Sequence, residues 1–104
     1  MYVILTSKPG QFRTETVDGM TAVESYDYVV HGRLRARFAI ASLERPVKVR
    51  MVDDGTPPVV NLVPSKFLPS FDTLEAARAE LRHLTHSERI DARLVRTGAE
   101  AAAR

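Results

Sequence analysis

Turn signals fall so often in the first half of this chain that it reads as a succession of short strands. Lys8-Pro9-Gly10, Asp18-Gly19, His31-Gly32, Glu44-Arg45-Pro46 and Asp53-Asp54-Gly55 each mark a reversal. Tyr2 to Ser7 is apolar enough for a strand buried on both faces. Gln11 to Val17 is strand-like, and Asp18-Gly19 predicts a two-residue hairpin turn after it. Pairing Val17 with Met20 would place Phe12, Thr14 and Thr16 on one face with Thr21, Val23 and Ser25. That register also sets Arg13 opposite Glu24, a favourable cross-strand charge pair.

The strand continues through Tyr26 to Val30, and His31-Gly32 supplies the next tight turn. From Arg33 to Ala41 the pattern alternates. Leu34, Ala36, Phe38 and Ile40 point one way, and Arg33, Arg35 and Arg37 the other. A helix from Arg33 to Glu44 is the rival, since Leu34, Phe38 and Ala41 also suit helical spacing. The strand is preferred because a helix would scatter the arginines. Val47, Val49 and Met51 alternate with Lys48 and Arg50 in a further half-buried strand. Val59 to Val63 makes a short one, which its flanking prolines assign to a sheet edge.

One helix is expected, over residues 73–85. Asp72 is its expected cap, with Glu75 completing a capping box. Leu74, Ala77, Leu81 and Leu84 form its apolar stripe, with Arg78, Glu80 and Arg82 facing outward. Ile90 to Arg96 reads as a last strand or a short second helix, and Gly98 to Arg104 as a frayed tail. The expected fold is therefore α+β: an antiparallel meander of about five to seven strands with the helix packed on one face. Residues 1–97 would form a single domain and 98–104 a flexible tail. The sheet's second face is left to water or to a partner.

Composition narrows the chemistry. With 104 residues, 44% of them hydrophobic, the chain can build one core without staples. The absence of cysteine removes disulfides, thiolate metal sites and cysteine nucleophiles. The opening Met1 to Ser7 has no basic leader and too short an apolar run for a signal peptide, so a cytoplasmic location with no membrane span is expected. A formal net charge of +2 is a modest excess, and lysine occurs only at Lys8, Lys48 and Lys66. Arginine makes up the remaining base, which a GC-rich coding sequence also produces. The charge balance alone does not indicate a nucleic-acid partner.

The main candidate site is the open sheet face. If His31-Gly32 is a two-residue turn, Tyr28 lies opposite Arg35 and Tyr26 opposite Arg37, with Lys48 and Arg50 added by the next strand. Tyr26, Tyr28, Arg33, Arg35, Arg37, Lys48 and Arg50 would then interleave aromatic rings with cations, a surface suited to phosphates or nucleic acid. The competing reading is that arginine stems cover the tyrosines and the charges are merely solvated. A loop of different length would reverse the parity and turn the rings inward. Glu80, His83 and His86 recur at three-residue steps, but His86 falls where the helix is ending and His31 sits on a distant turn, so the three or four converging ligands of a metal site are not met and no metal is assigned. Asp53-Asp54-Gly55 is explained by turn geometry. Phe67 and Leu68 could form an apolar docking tip or tuck into the core. The edge strand near Val59 to Val63 could pair with a second copy, though its prolines limit extension.

No residue advertises catalysis, and no cofactor is implied. Three functional classes remain. The first is a non-catalytic protein-interaction or accessory module, which makes a protein the leading partner. The second is an anion or nucleic-acid binder using the tyrosine and arginine face. The third is a small-molecule binder or small enzyme, for which His31, His83 and Asp27 are the first residues to test.

Overall fold

Eight strands and one helix follow one another in the computed structural model, which describes residues 1–86 and 92–97. The strands are β1 (Tyr2–Ser7), β2 (Phe12–Glu15), β3 (Met20–Val30), β4 (Arg33–Leu43), β5 (Lys48–Asp53), β6 (Val60–Pro64), β7 (Ser70–Phe71) and β8 (Ala92–Arg96). Between β7 and β8 runs α1 (Leu74–Leu84), and a 3-10 turn at Ser65–Phe67 follows β6. The mostly antiparallel α+β class expected from the sequence is the class observed. The strands divide into two sheets, a larger one ordered β7-β1-β4-β3-β8 and a smaller one ordered β2-β5-β6. Residues 33–43 are strand, so the helical rival is set aside, and 92–96 likewise pair as a strand against β3. The expected tail 98–104 lies outside the described residues.

The large sheet is covered on both sides. Strand alternation sends Ile4 and Ile40 to one face, where they pack against Ala77 and Leu81 of α1. Val3, Leu5, Met20 and Ala41 go to the other face and meet Val49 of the small sheet. The expectation that this second face would be left open is therefore corrected: the small sheet lies over it. Each fully buried aliphatic side chain in these two clusters contributes roughly 1.5–3 kcal/mol.

The first hairpin differs from its expected form. Met20 N–H does donate to Val17 C=O across the Asp18-Gly19 turn, at 3.2 Å. The flanking strands then separate. β2 pairs with β5, with Arg13 beside Val52 and Glu15 beside Arg50, while β3 pairs with β4. Arg13 and Glu24 are thus in different sheets, and the predicted charge pair between them does not form. A turn motif specifies a reversal of direction, whereas the partner is selected by which faces can be buried. Arg45 holds Asp18 at 2.8 Å and Glu44 N–H reaches Gly19 C=O at 2.9 Å, so the turn is tied to the end of β4.

The helix start is shifted by one residue. Thr73, not Asp72, caps it, accepting from the Ala76 N–H at 3.1 Å. Ala77 and Leu81 are buried as expected, but Leu84 is exposed at the C-terminal end of the stripe.

Two glycines with positive φ test the turn geometry. Gly32 (φ 75°) follows His31 (φ 52°), the left-handed pair of a two-residue hairpin turn, and a Cβ there would meet open space. A Cβ on Gly19 (φ 96°) would lie 2.8 Å from Val47 Cγ1. Gly32→Ala is expected to cost about 1 kcal/mol from backbone conformation alone. Gly19→Ala should cost at least about twice that, because it adds a clash between the turn and β5's approach. Urea denaturation of both variants checks the order.

Candidate functional site

Two β-bulges decide which side chains reach which face. In β3, Ala22 pairs with Ala41 and Glu24 with Ile40, which leaves Val23 as the extra residue. In β4, Tyr28 pairs with Ala36 and Val29 with Leu34, which leaves Arg35 as the extra residue. The first bulge reverses the parity of everything after Val23. Glu24, Tyr26 and Tyr28, which simple alternation would place with Met20, instead face α1.

The tyrosine and arginine surface is accordingly not assembled as expected. Tyr26 pairs with Phe38 rather than Arg37, and Tyr28 with Ala36 rather than Arg35. Tyr28 packs its ring at 6.4 Å from that of Phe38. Arg37 lies opposite Asp27 on the other face and approaches it at 3.3 Å. Arg33 and Arg35 are exposed beside the hairpin turn. Lys48 and Arg50 are exposed on β5, in the small sheet, where Arg50 pairs with Glu15 at 3.1 Å. The seven residues are therefore spread over two sheets and two faces.

What the parity reversal does assemble is an ionic knot around Glu24. Its carboxylate is only 2% exposed. Arg78 donates to it through Nε, at 3.0 Å to both oxygens, and through Nη2. Tyr26 Oη donates to Oε1 at 2.6 Å, and Arg96 Nη2 stands 3.5 Å from Oε2. Arg78 also binds Glu75 through Nη1. β3, α1 and β8 are joined at one point, and Arg78 is turned toward the sheet rather than outward as its helical position suggested. The Arg78 hydrogen bonds hold the Glu24 carboxyl down to about 2, against the opposing effect of burial. Burial, and then the bond to Glu24, raise the Tyr26 hydroxyl above its ordinary value. Glu24 is therefore a fixed anion and Tyr26 a fixed donor at neutral pH, unsuited to trading protons.

A cleft of about 340 Å³ opens on the other face, lined by Ser7, Thr14, Ser25, Asp27, Arg37 and Thr97 among others. Most of its polar groups are already engaged. Ser7 Oγ accepts from Thr14 N–H at 2.9 Å, and Thr14 Oγ1 donates to the Thr6 carbonyl at 2.5 Å. Asp27 and Arg37 face each other. Ser25 Oγ is buried with no hydrogen-bond partner among the described residues. Of the residues first marked for a small-molecule site, Asp27 lines this cleft, while His31 and His83 are exposed elsewhere.

The third feature is the edge of the small sheet. Asp53 N–H donates to Val59 C=O and Ser65 N–H to Val47 C=O, each at 2.8 Å, at either end of the β5–β6 ladder. The antiparallel alternation between them directs the backbone groups of Asn61 and Val63 to β5, and those of Val60, Leu62 and Pro64 away from it. No described strand pairs with that outward edge. Val60 and Leu62 are also exposed through their side chains, Leu62 by 57%. Pro64, which has no N–H, sits at an outward position, as prolines at sheet edges do. The expected edge assignment is the one observed. Phe67 is exposed under Lys66, whose Nζ lies 5.3 Å from its ring centre, whereas Leu68 packs against the core.

No protein-family model, curated protein or solved structure matches the chain. Among the described residues, no helix is long and apolar enough to cross a membrane.

The depressed Glu24 carboxyl gives a signed pH dependence. Its folded value lies below its unfolded one, so its stabilisation is complete above about pH 4.5 and is lost as pH falls toward about 2. The shift corresponds to about 3 kcal/mol. Glu24→Gln removes this contribution, so its stability should fall less steeply across that window than the wild type's. Urea titrations between pH 7 and pH 2 provide the measurement.

Proposed function

We propose that this domain is a non-catalytic interaction module that docks extended polypeptide along the outward edge of β6, which no described strand meets. The observation that carries the reading is the outward pair of N–H and C=O groups on Val60 and Leu62, beside exposed apolar side chains. A strand laid there gains backbone hydrogen bonds from the edge and apolar contact from Val60 and Leu62, the two components of strand-addition recognition. Among the described residues, the carboxyl displaced furthest from its ordinary value is that of Glu24, whose role as counter-ion to Arg78 supports a structural use. Asp27, the acid lining the cleft, is matched by Arg37.

Panning a random peptide library against the protein tests the reading. The wild type should enrich extended sequences with alternating apolar residues, and Leu62→Lys should lose them. Equal enrichment by both proteins would refute docking at β6.

The cleft supports a second reading, a small polar ligand held by the Ser25 hydroxyl. That hydroxyl is buried and unpartnered among the described residues, and an unsatisfied buried group costs about 1–3 kcal/mol. Ser25→Ala should therefore raise stability by about 1 kcal/mol in denaturant melts. A clear loss of stability would mean the hydroxyl already has a partner within the fold, and the reading would fall. The anion-binding reading has less behind it, because Arg33, Arg35 and Arg37 lie on β4 while Lys48 and Arg50 belong to the other sheet.

A further inference from the structure

We propose that the strand docked on β6 is β6 of a second copy of this chain, joining two small sheets into one across a two-fold axis near Asn61. The inference rests on the reading of β6 as a docking edge and names its partner.

Self-complementarity carries the argument. From Pro57 to Ser65 the segment Pro-Pro-Val-Val-Asn-Leu-Val-Pro-Ser holds no charge, so two copies approach without repulsion along the seam. Edge strands that avoid self-pairing usually carry a charge, a bulge or an interior proline. β6 has regular pairing to β5, with its prolines confined to its end and the approach to it. Antiparallel pairing with Asn61 opposite its own copy sets Val60 against Leu62 of the other chain. Both residues direct their backbone groups outward, so each such pair exchanges two hydrogen bonds, about four across the seam. The same register places Pro64 opposite Pro58 of the other copy, and neither residue has an N–H to leave unpaired. The ladder thus ends on residues that leave no N–H unpaired, with only their carbonyls turned to water at the ends of the seam.

Side chains support the same alignment. On the outer face of the small sheet, Glu15, Arg50 and Leu62 form one cross-strand row, and Arg13, Val52 and Val60 form the next. In the paired arrangement Leu62 of each copy meets Val60 of the other, two exposed side chains that form an apolar centre, while Val52 beside Val60 is already buried within its own chain. Glu15, bound by Arg13 at 3.0 Å and Arg50 at 3.1 Å, and Asp54, 3.9 Å from Arg13, keep the rim charges matched within each copy. The surface joined is small, so the dimer should be reversible and concentration-dependent.

Sedimentation velocity from about 1 μM to about 1 mM reads the association directly. The wild type should shift from monomer toward twice the chain mass, and Leu62→Lys should weaken association at least about tenfold while leaving circular dichroism unchanged. Because the chain has no cysteine, Asn61→Cys introduces a unique thiol. Opposed across a non-hydrogen-bonded pair, two such thiols fall within disulfide range and should crosslink under mild oxidation. Ala79→Cys, on the exposed part of α1, should not. A wild type that stays monomeric throughout overturns the inference. So does a dimer that Leu62→Lys leaves intact, or one that Asn61→Cys does not trap. If the protein is monomeric yet selects peptides through Leu62, only the self-pairing fails. If it is monomeric and selects none, the docking edge fails with it.

Discussion

Glu24 is a full negative charge with almost no access to water, and the arrangement of the large sheet around α1 depends on how that charge is met. Burying a carboxylate costs several kcal/mol unless donors replace its hydration. Arg78 from α1 and Tyr26 from the same strand supply them by hydrogen bonds, with Arg96 from β8 close by. The two arginines come from parts of the chain far from Glu24 in sequence, so the helix position and the seating of β8 are set together. Apolar packing of Ile4, Ile40, Ala77 and Leu81 would tolerate some sliding of the helix. The charge would not. Directional bonds of this kind fix a unique docking where hydrophobic burial fixes only a face.

Much of the architecture was legible because it follows from local chemistry. Both-sided burial of β1, the His31-Gly32 turn, the strand character of residues 33–41 and the edge position of β6 were read from alternation, glycine and proline. The site was less legible for a specific reason. A period of two predicts faces only while the ladder is regular, and one extra residue at Val23 inverts every later assignment on β3. Nothing in Ala22-Val23-Glu24 announces a bulge. Simple alternation puts Glu24 on the same side as Met20 and Ala22, and the conflict was hidden because the expected hairpin register supplied Arg13 as its partner, a residue that in fact lies in the other sheet. The separation of β2 from β3 was hidden for a different reason, since Asp18-Gly19 describes a turn and says nothing about which sheet its arms join.

On the proposed reading, the inner face and the outer edge of the small sheet are put to different uses. Its inner side closes the core through Val49, while its outer edge keeps an open row of backbone groups next to Val60 and Leu62. On the proposed reading, stability and recognition are separated by about one strand's width. Side chains on β6 that project outward contribute little to the core, so the edge can vary its side chains without endangering the fold. The proposed function therefore relies on main-chain geometry more than on any reactive side chain, which accords with a site that no motif marks.

The chain passes from β1 in the large sheet to β2 in the small one, returns for β3 and β4, and crosses again for β5 and β6. β2 finds its partner only after some thirty-five intervening residues, a non-local pairing of the kind that slows folding. This stitching denies either layer an independent existence. Loss of the small sheet would expose Val3, Leu5 and Ala41, and loss of the large one would leave β2 and β5 tethered to disordered chain. The molecule should accordingly lose its structure in one concerted step, with no half-folded form in which a single sheet survives.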